Sequence, residues 1–510
     1  MVKHQEFIQA EKWIEEAEFD KALKLLNEYE KKNGIDNYDK LSCYHLKGQL
    51  LIWQGNFEES IKTSKKMYDL SHSYDYDLQS IEALILLSNI YTYQFKDDKA
   101  LEIIRKIDNL LKKNANISPK LLLGKRAHLF YYRGLISFHK GKLDQAFGYL
   151  EKSIALREEI GDKRGLAESY LSMARFYAHD GNFDRGLEYV ERSLMHAKES
   201  NCIFYLGLSY NTLGTISTFK GKIDQGLVNF EKSLAIFKKI KNLLVIGGLF
   251  NNMSNSYDLK GDLKRALDYL EQSIAIDKSI DIERLKISTL DTAIQIALEI
   301  NDVDRAQLYF QDLEKIRDQE DSENVNFTYL YNKALLLKSS PQKSDQIRSS
   351  EILKDLVKKK PHFHFETFVK ALLNLTDLLL IELEDTNNLE LLDQIELYIN
   401  QILEIAFNQN LRGLLVESYL LETKFDLITL DWKNAQEALV KALKIAEEYD
   451  MKQMIKRISI EKKKFTTQKH KWVRTEVSDK TIVILANLSP MRGQIKYMLK
   501  KRELLKNISP

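Results

Sequence analysis

Residues 161–200 read GDKRGLAESYLSMARFYAHDGNFDRGLEYVERSLMHAKES, residues 201–240 read NCIFYLGLSYNTLGTISTFKGKIDQGLVNFEKSLAIFKKI, and residues 241–280 read KNLLVIGGLFNNMSNSYDLKGDLKRALDYLEQSIAIDKSI. These are three copies of one unit. Gly181, Gly221 and Gly261 recur every 40 residues, with Gly141 one period upstream and Asn301 one period downstream. A fixed period of this length marks a solenoid, in which each unit buries its apolar face only against the next.

Each block holds two apolar runs with a helical period. In the second block they are Tyr210, Leu213, Gly214 and Ser217, then Ile223, Gly226, Phe230, Ser233 and Leu234. Steps of three, four and seven place each set on one helix face. Gly221 falls between the runs, where a residue free to take positive φ can end the first helix. Asp224, three residues on, is expected to cap the second. Small residues recur at two points: Gly134, Ala174, Gly214 and Ser254, and again Ala146, Gly186, Gly226 and Ala266. They let the two helices of a hairpin approach closely. Overpacking there is expected to damage mainly the adjoining repeats, since each touches only its neighbours.

Working outward, Trp13 ends the first helix of a first hairpin, and Phe19, Ala22 and Leu26 start its second. Gly55-Asn-Phe57 marks the next turn, and Phe95 occupies the glycine slot of the third. Extra residues near 114–120 shift the phase and predict a longer loop or helix. Beyond Asn301 the repeats degrade through 316–460, ending on Tyr419, Trp432, Ala435, Leu439 and Ala442. The fold expected is all-α, a right-handed superhelical solenoid of about eleven antiparallel helix hairpins. Four segments follow: N-terminal repeats over 1–112, the regular array over 113–315, degenerate repeats over 316–460 and a basic segment over 461–510.

The pattern Tyr210-x2-Leu213-Gly214, with Gly261-x-Leu263-x-x-Ala266 and Leu270-x-x-Ser273, resembles the tetratricopeptide repeat. The unit is longer than the usual length of about 34 residues and lacks the closing proline. That longer form resembles the repeats of spindle-orientation adaptors and, less closely, of kinesin light chains, as do Gly161-Asp162 and the asparagines at 211, 251 and 255. The resemblance implies that the first helix of each hairpin lines a concave groove. Carried over, its groove positions are Tyr131, Leu135, Phe138 and His139; Leu171, Arg175 and His179; Asn211, Thr215 and Phe219; and Asn251, Asn255 and Asp258. Trp53, Asn89 and Tyr93 extend the row. Asparagine amides both donate and accept, which suits an extended peptide backbone.

Composition narrows the function. The chain of 510 residues carries 44% apolar residues, enough for a continuous core, and five prolines, as an almost wholly helical chain requires. The net charge of +2 hides a C-terminal excess: residues 461–510 hold 13 Lys/Arg against 4 Asp/Glu. A short β-branched run at 481–486 reads as a strand, and 491–505 as a basic amphipathic helix expected to dock near Leu439 and Ala442. This segment could also meet an acidic partner; a lone basic segment without a fold motif does not predict nucleic-acid binding. Cys43 and Cys202, far apart in the array, suggest reduced thiols, and with no leader or apolar span a cytoplasmic chain is expected. No phosphate loop, zinc spacing or nucleophile motif is present, and His362-Phe-His364 lacks a third ligand nearby. The reading is a non-enzymatic scaffold or adaptor without cofactor or metal, binding a protein or peptide in its groove. The alternative is a sensory or regulatory solenoid responding to a peptide or small effector.

Overall fold

The computed structural model describes residues 5–32, 34–113, 118–277, 283–319, 323–359, 365–386, 388–429, 431–449 and 451–475. His362, His364, the expected strand at 481–486 and the expected helix at 491–505 lie outside them. The described residues form 23 α-helices packed as consecutive hairpins, a tetratricopeptide-like solenoid. The first hairpins pair α1 (Gln5–Glu15) with α2 (Phe19–Glu30), α3 (Asn37–Trp53) with α4 (Phe57–Ser73), and α5 (Asp77–Tyr93) with α6 (Asp97–Lys113). The regular array pairs α7 (Pro119–His139) with α8 (Leu143–Ile160), α9 (Lys163–His179) with α10 (Phe183–Glu199), α11 (Ile203–Phe219) with α12 (Ile223–Ile240), and α13 (Leu243–Leu259) with α14 (Leu263–Asp277). Then come α15 (Glu283–Glu299) with α16 (Val303–Gln319), α17 (Glu323–Ser339) with α18 (Lys343–Lys359), α19 (Phe365–Thr386) with α20 (Leu391–Asn408), and α21 (Arg412–Ile428) with α22 (Trp432–Glu448). A single helix, α23 (Lys452–Thr475), follows. The phase shift near 114–120 leads into a 21-residue helix, α7.

The turn chemistry follows from the residue after the bend. Gly55, Gly141, Gly181, Gly221 and Gly261 all take φ near +80°, and Phe95 and Asn301 take +56° and +59° in the same slot. The next residue then caps the second helix. Asn56, Asn182, Asp262 and Asp302 accept from the main-chain N–H three residues on, at 3.0–3.4 Å. Asp224 does not play that part. It is the second residue of α12, inside the first turn, where a carboxylate suits the helix dipole and pairs with Lys260.

Close packing inside each hairpin has a visible cause. A Cβ on Gly214 would stand 2.6 Å from the Phe230 ring, and one on Gly134 would stand 3.1 Å from Leu150. Where the slot holds serine, the hydroxyl is used: Ser254 donates to the Ala266 carbonyl at 2.7 Å. A second serine ladder was hidden among apolar positions. Ser153, Ser193, Ser233 and Ser273 are fully buried, 40 residues apart, and donate to the carbonyls of Ala127, Ala167, Gly207 and Gly247 at 2.7–2.9 Å. Each bond satisfies a hydroxyl that would otherwise cost roughly 1–3 kcal/mol to bury.

The chain divides into two compact units. The first comprises residues 1–216, 225–253 and 271–282; the second comprises 217–224, 254–270 and 283–510. Within the first, the neighbour-only expectation fails. Trp53, at the end of α3, stacks between Phe19 and Phe204, with ring centroids at 5.9 and 5.1 Å. The Asn242 amide donates to the Trp53 carbonyl, and Lys241 reaches Asp20 at 2.5 Å. The accumulated rotation of several hairpins brings these turns together. The second unit has its own long-range contact: a Cβ on Gly261 would lie 3.2 Å from the backbone N of Gln453. There α23 runs through Glu461 without a break. Its Met454, Ile458 and Phe465 bury Leu439 and Ala442, so the surface expected to receive the 491–505 helix is already covered. Both cysteines are buried free thiols.

Candidate functional site

In each unit the first helices of successive hairpins line a cavity. In the first unit α3, α5, α7, α9 and α11 enclose about 220 Å³. Its wall is polar, and its organising residue is Arg157, at the end of α8. Arg157 is wholly buried. It donates to Glu168 Oε2 at 2.8 Å, to Ser169 Oγ at 2.9 Å and to the Gly165 carbonyl. It also reaches Nδ1 of His128 at 3.3 Å. A guanidinium can only donate, so Nδ1 accepts and His128 is neutral with its proton on Nε2. Burial, then the charges of Arg157, Lys125 and Arg164, hold His128 well below its ordinary pKa. Burial opposes the charge on Arg157, yet Glu168 and Asp162 outweigh it and raise its pKa. Glu168 is held a second time by the Tyr205 hydroxyl at 2.5 Å. Burial and the Glu168 charge push the Tyr131, Tyr132 and Tyr205 phenols well above the usual range.

The second unit carries the larger cavity, about 630 Å³, lined from α15, α17, α19, α21 and α23. Here the charges are paired across helices. Asp377 takes Lys338 and Lys424, each at 2.7 Å, and these cations outweigh burial to hold its carboxyl below the usual range. Arg457 grips Glu417 with both terminal nitrogens. Asn374 accepts from Lys338 at 2.9 Å. Beside the cavity, burial and then the Glu299 charge push the Asp258 carboxyl up to about 7.

The residues carried over by resemblance are distributed over both units. In the first unit, Tyr131 and Leu171 are buried, and the Tyr131 hydroxyl lies 3.2 Å from Ser172 Oγ. Leu135 packs on the core, and His139 Nδ1 lies 2.9 Å from Asp97. Phe138 stacks on Phe176 at 3.9 Å and meets His179 edge-on at 5.0 Å. Arg175 is half-buried, and its Nε donates to Thr212 at 3.2 Å. Asn211 accepts from Asn252 at 3.0 Å, and Thr215 donates to the Asn211 carbonyl. Asn251 is buried, and its Oδ1 has no hydrogen-bond partner among the described residues. Trp53 and Asn89 are buried, and Tyr93, stacked on Phe57, is pushed up to about 12 by burial. In the second unit, Phe219, Asn255 and Asp258 are half-buried.

Sequence reading missed the Arg157–His128–Glu168 cluster, which sits about one helical turn before Tyr131 and Leu171. A signal existed. One repeat slot holds Arg157, Ala197, Phe237 and Asp277 in turn, so a position that is apolar in two repeats is charged in the others. Buried arginine is rare unless paired.

Among the described residues no helix is long and apolar enough to cross a membrane. A tetratricopeptide-repeat model matches residues 248–280. No curated protein matches the chain. Among solved structures it is similar to a Rap protein complexed with Competence and Sporulation Factor, at 14% identity, covering 71% of this chain and 98% of that one, with a TM-score of 0.49. The apo form of the quorum sensor NprR from B. thuringiensis gives 15% identity, 71% and 98% coverage and a TM-score of 0.47. BtubC from P. vanneervenii gives 18%, 44% and 91%, with a TM-score of 0.34. Residues 248–280 thus match one tetratricopeptide repeat, within a run of helix hairpins of the same kind among the described residues.

Proposed function

We propose that this chain is a protein-interaction scaffold that seats a peptide segment of a partner on the first helices of its hairpins. In finer form it is an adaptor, as its long repeat suggests. One observation carries the reading: the state of Arg175. This half-buried guanidinium has no carboxylate partner among the described residues. Around it lie Tyr93, Tyr131 and Tyr205, while burial draws its pKa down. A cation left unpaired in such a place calls for an acceptor from outside the chain. In the same unit, the Asn211 and Asn252 amides and the unpartnered Oδ1 of Asn251 offer hydrogen bonds of the kind a peptide backbone returns.

The test is a triple substitution, Arg175→Ala, Asn211→Ala and Asn251→Ala, with affinity purification from the native cell. Helicity should be retained, and the partner recovered with the unmodified protein should be lost. Recovery of every partner by the triple variant would refute the reading.

A further inference from the structure

We propose that the polar cavity of the first unit is a binding site for a small carboxylate of amino-acid size, held by Arg164 and by the side-chain amides of Gln49 and Asn89. The inference does not rest on a peptide at Arg175, because Arg175, Asn211 and Asn251 take no part in it.

Three observations support it. The first is size. A space of about 220 Å³ is too small for a drug-sized ligand, whose pockets begin near 300 Å³, yet far larger than one water requires. The second is charge. Lys125 is committed to Glu82 at 2.9 Å, and Arg157 to Glu168 at 2.8 Å. Arg164 differs. It stands exposed at the cavity wall and makes no ion pair among the described residues. Its guanidinium carbon lies 4.3 Å from the Trp53 ring centroid. A cation–π contact leaves the guanidinium N–H groups able to hydrogen-bond, and a carboxylate is the acceptor that matches them.

The third observation is the remaining inventory of the wall. The amides of Gln49 and Asn89 and the Tyr132 hydroxyl face the cavity, and none has a hydrogen-bond partner among the described residues. Asn89 and Tyr132 are buried, so water reaches them only through that space. His45 adds a buried Nδ1 without a partner. Burial first, with Lys125 and Arg164 adding to it, lowers the pKa of both His45 and His128. An anion bearing further donors and acceptors satisfies the whole wall; a hydrocarbon would strand it.

The full-length protein is titrated calorimetrically with glycine, L-alanine, L-glutamate, succinate and inorganic phosphate in turn, and its melting temperature is followed with each. At least one carboxylate should bind and raise the melting temperature. Arg164→Gln should weaken that binding roughly 10- to 100-fold, as expected for a lost charge-assisted hydrogen bond. Asn89→Leu should weaken it by a smaller factor. Circular dichroism of the ligand-free variants checks that they fold. Binding of phosphate alone, no binding of any probe, or equal carboxylate binding by folded Arg164→Gln would each overturn the proposal.

Discussion

The side-chain amide of Asn242 donates to the main-chain carbonyl of Trp53 at 2.8 Å, across 189 residues of sequence. Its other end accepts from the Val245 N–H at 2.9 Å and so caps α13. One buried side chain therefore starts a helix and ties the second hairpin to the sixth and seventh. Asn242→Asp separates the roles, because a carboxylate can cap but cannot donate. It should destabilise the first unit by about 1–3 kcal/mol, the cost of leaving a buried carbonyl unpaired. Trp53→Ala, which empties the stack between Phe19 and Phe204, should cost about 3–5 kcal/mol. Calorimetry should show both losses in the same transition; an unchanged profile for Trp53→Ala would remove the clasp from the account of stability.

Gly214→Leu tests hairpin packing. The added side chain would collide with Phe230, whose ring already sits 2.6 Å from where a Cβ would stand. A loss of about 1–3 kcal/mol is expected, read from the urea midpoint. Gly148→Leu is the matched control, since no heavy atom lies within 4 Å of a Cβ there. Equal behaviour of the two variants would contradict the packing argument.

Arg157→Met leaves Glu168 as an uncompensated buried charge and should cost about 3–5 kcal/mol. Combining it with Glu168→Leu should recover much of that loss, because no bare charge then remains. A double variant as unstable as the sum of the singles would show that the pair does not act as a unit.

Asp426 gives the second unit a pH dependence. It is 8% exposed, its Oδ2 has no hydrogen-bond partner among the described residues, and burial followed by Glu422, Asp431 and Glu396 pushes it up to about 7. The folded state then holds a proton that the unfolded state releases above about pH 4, so this contribution weakens as pH rises from about 4 to 7 and is flat beyond. Asp426→Asn should raise the urea midpoint at pH 8 and leave it nearly unchanged at pH 4. The opposite order would show that the carboxylate is stabilised in the fold.

The sequence could show what repeats. The bend glycines, the small slots and the helix hairpins recur at a constant interval, so each copy confirms the others. Phe95 was placed in a glycine slot by phase alone, and its φ of +56° agrees. Asp224 misled because its spacing from the glycine was judged without the helix start, which falls one residue earlier. The clasp was not visible, since Trp53 and Asn242 meet only through rotation summed over several hairpins. Their partners have no period. The Arg157 cluster lay between these cases: Arg157 breaks an apolar slot, but its partners His128 and Glu168 come from two other helices.

The clasp also imposes a wait during synthesis. Trp53 emerges from the ribosome long before Asn242, and at roughly 5–20 residues per second the intervening 189 residues take on the order of 10–40 s. Until Phe204 follows, 151 residues later, Trp53, buried in the finished protein, lacks that face of its stack. The nascent first hairpins therefore present one face of the indole to the cell until the later repeat is made, and this is the stage at which a chaperone would find them.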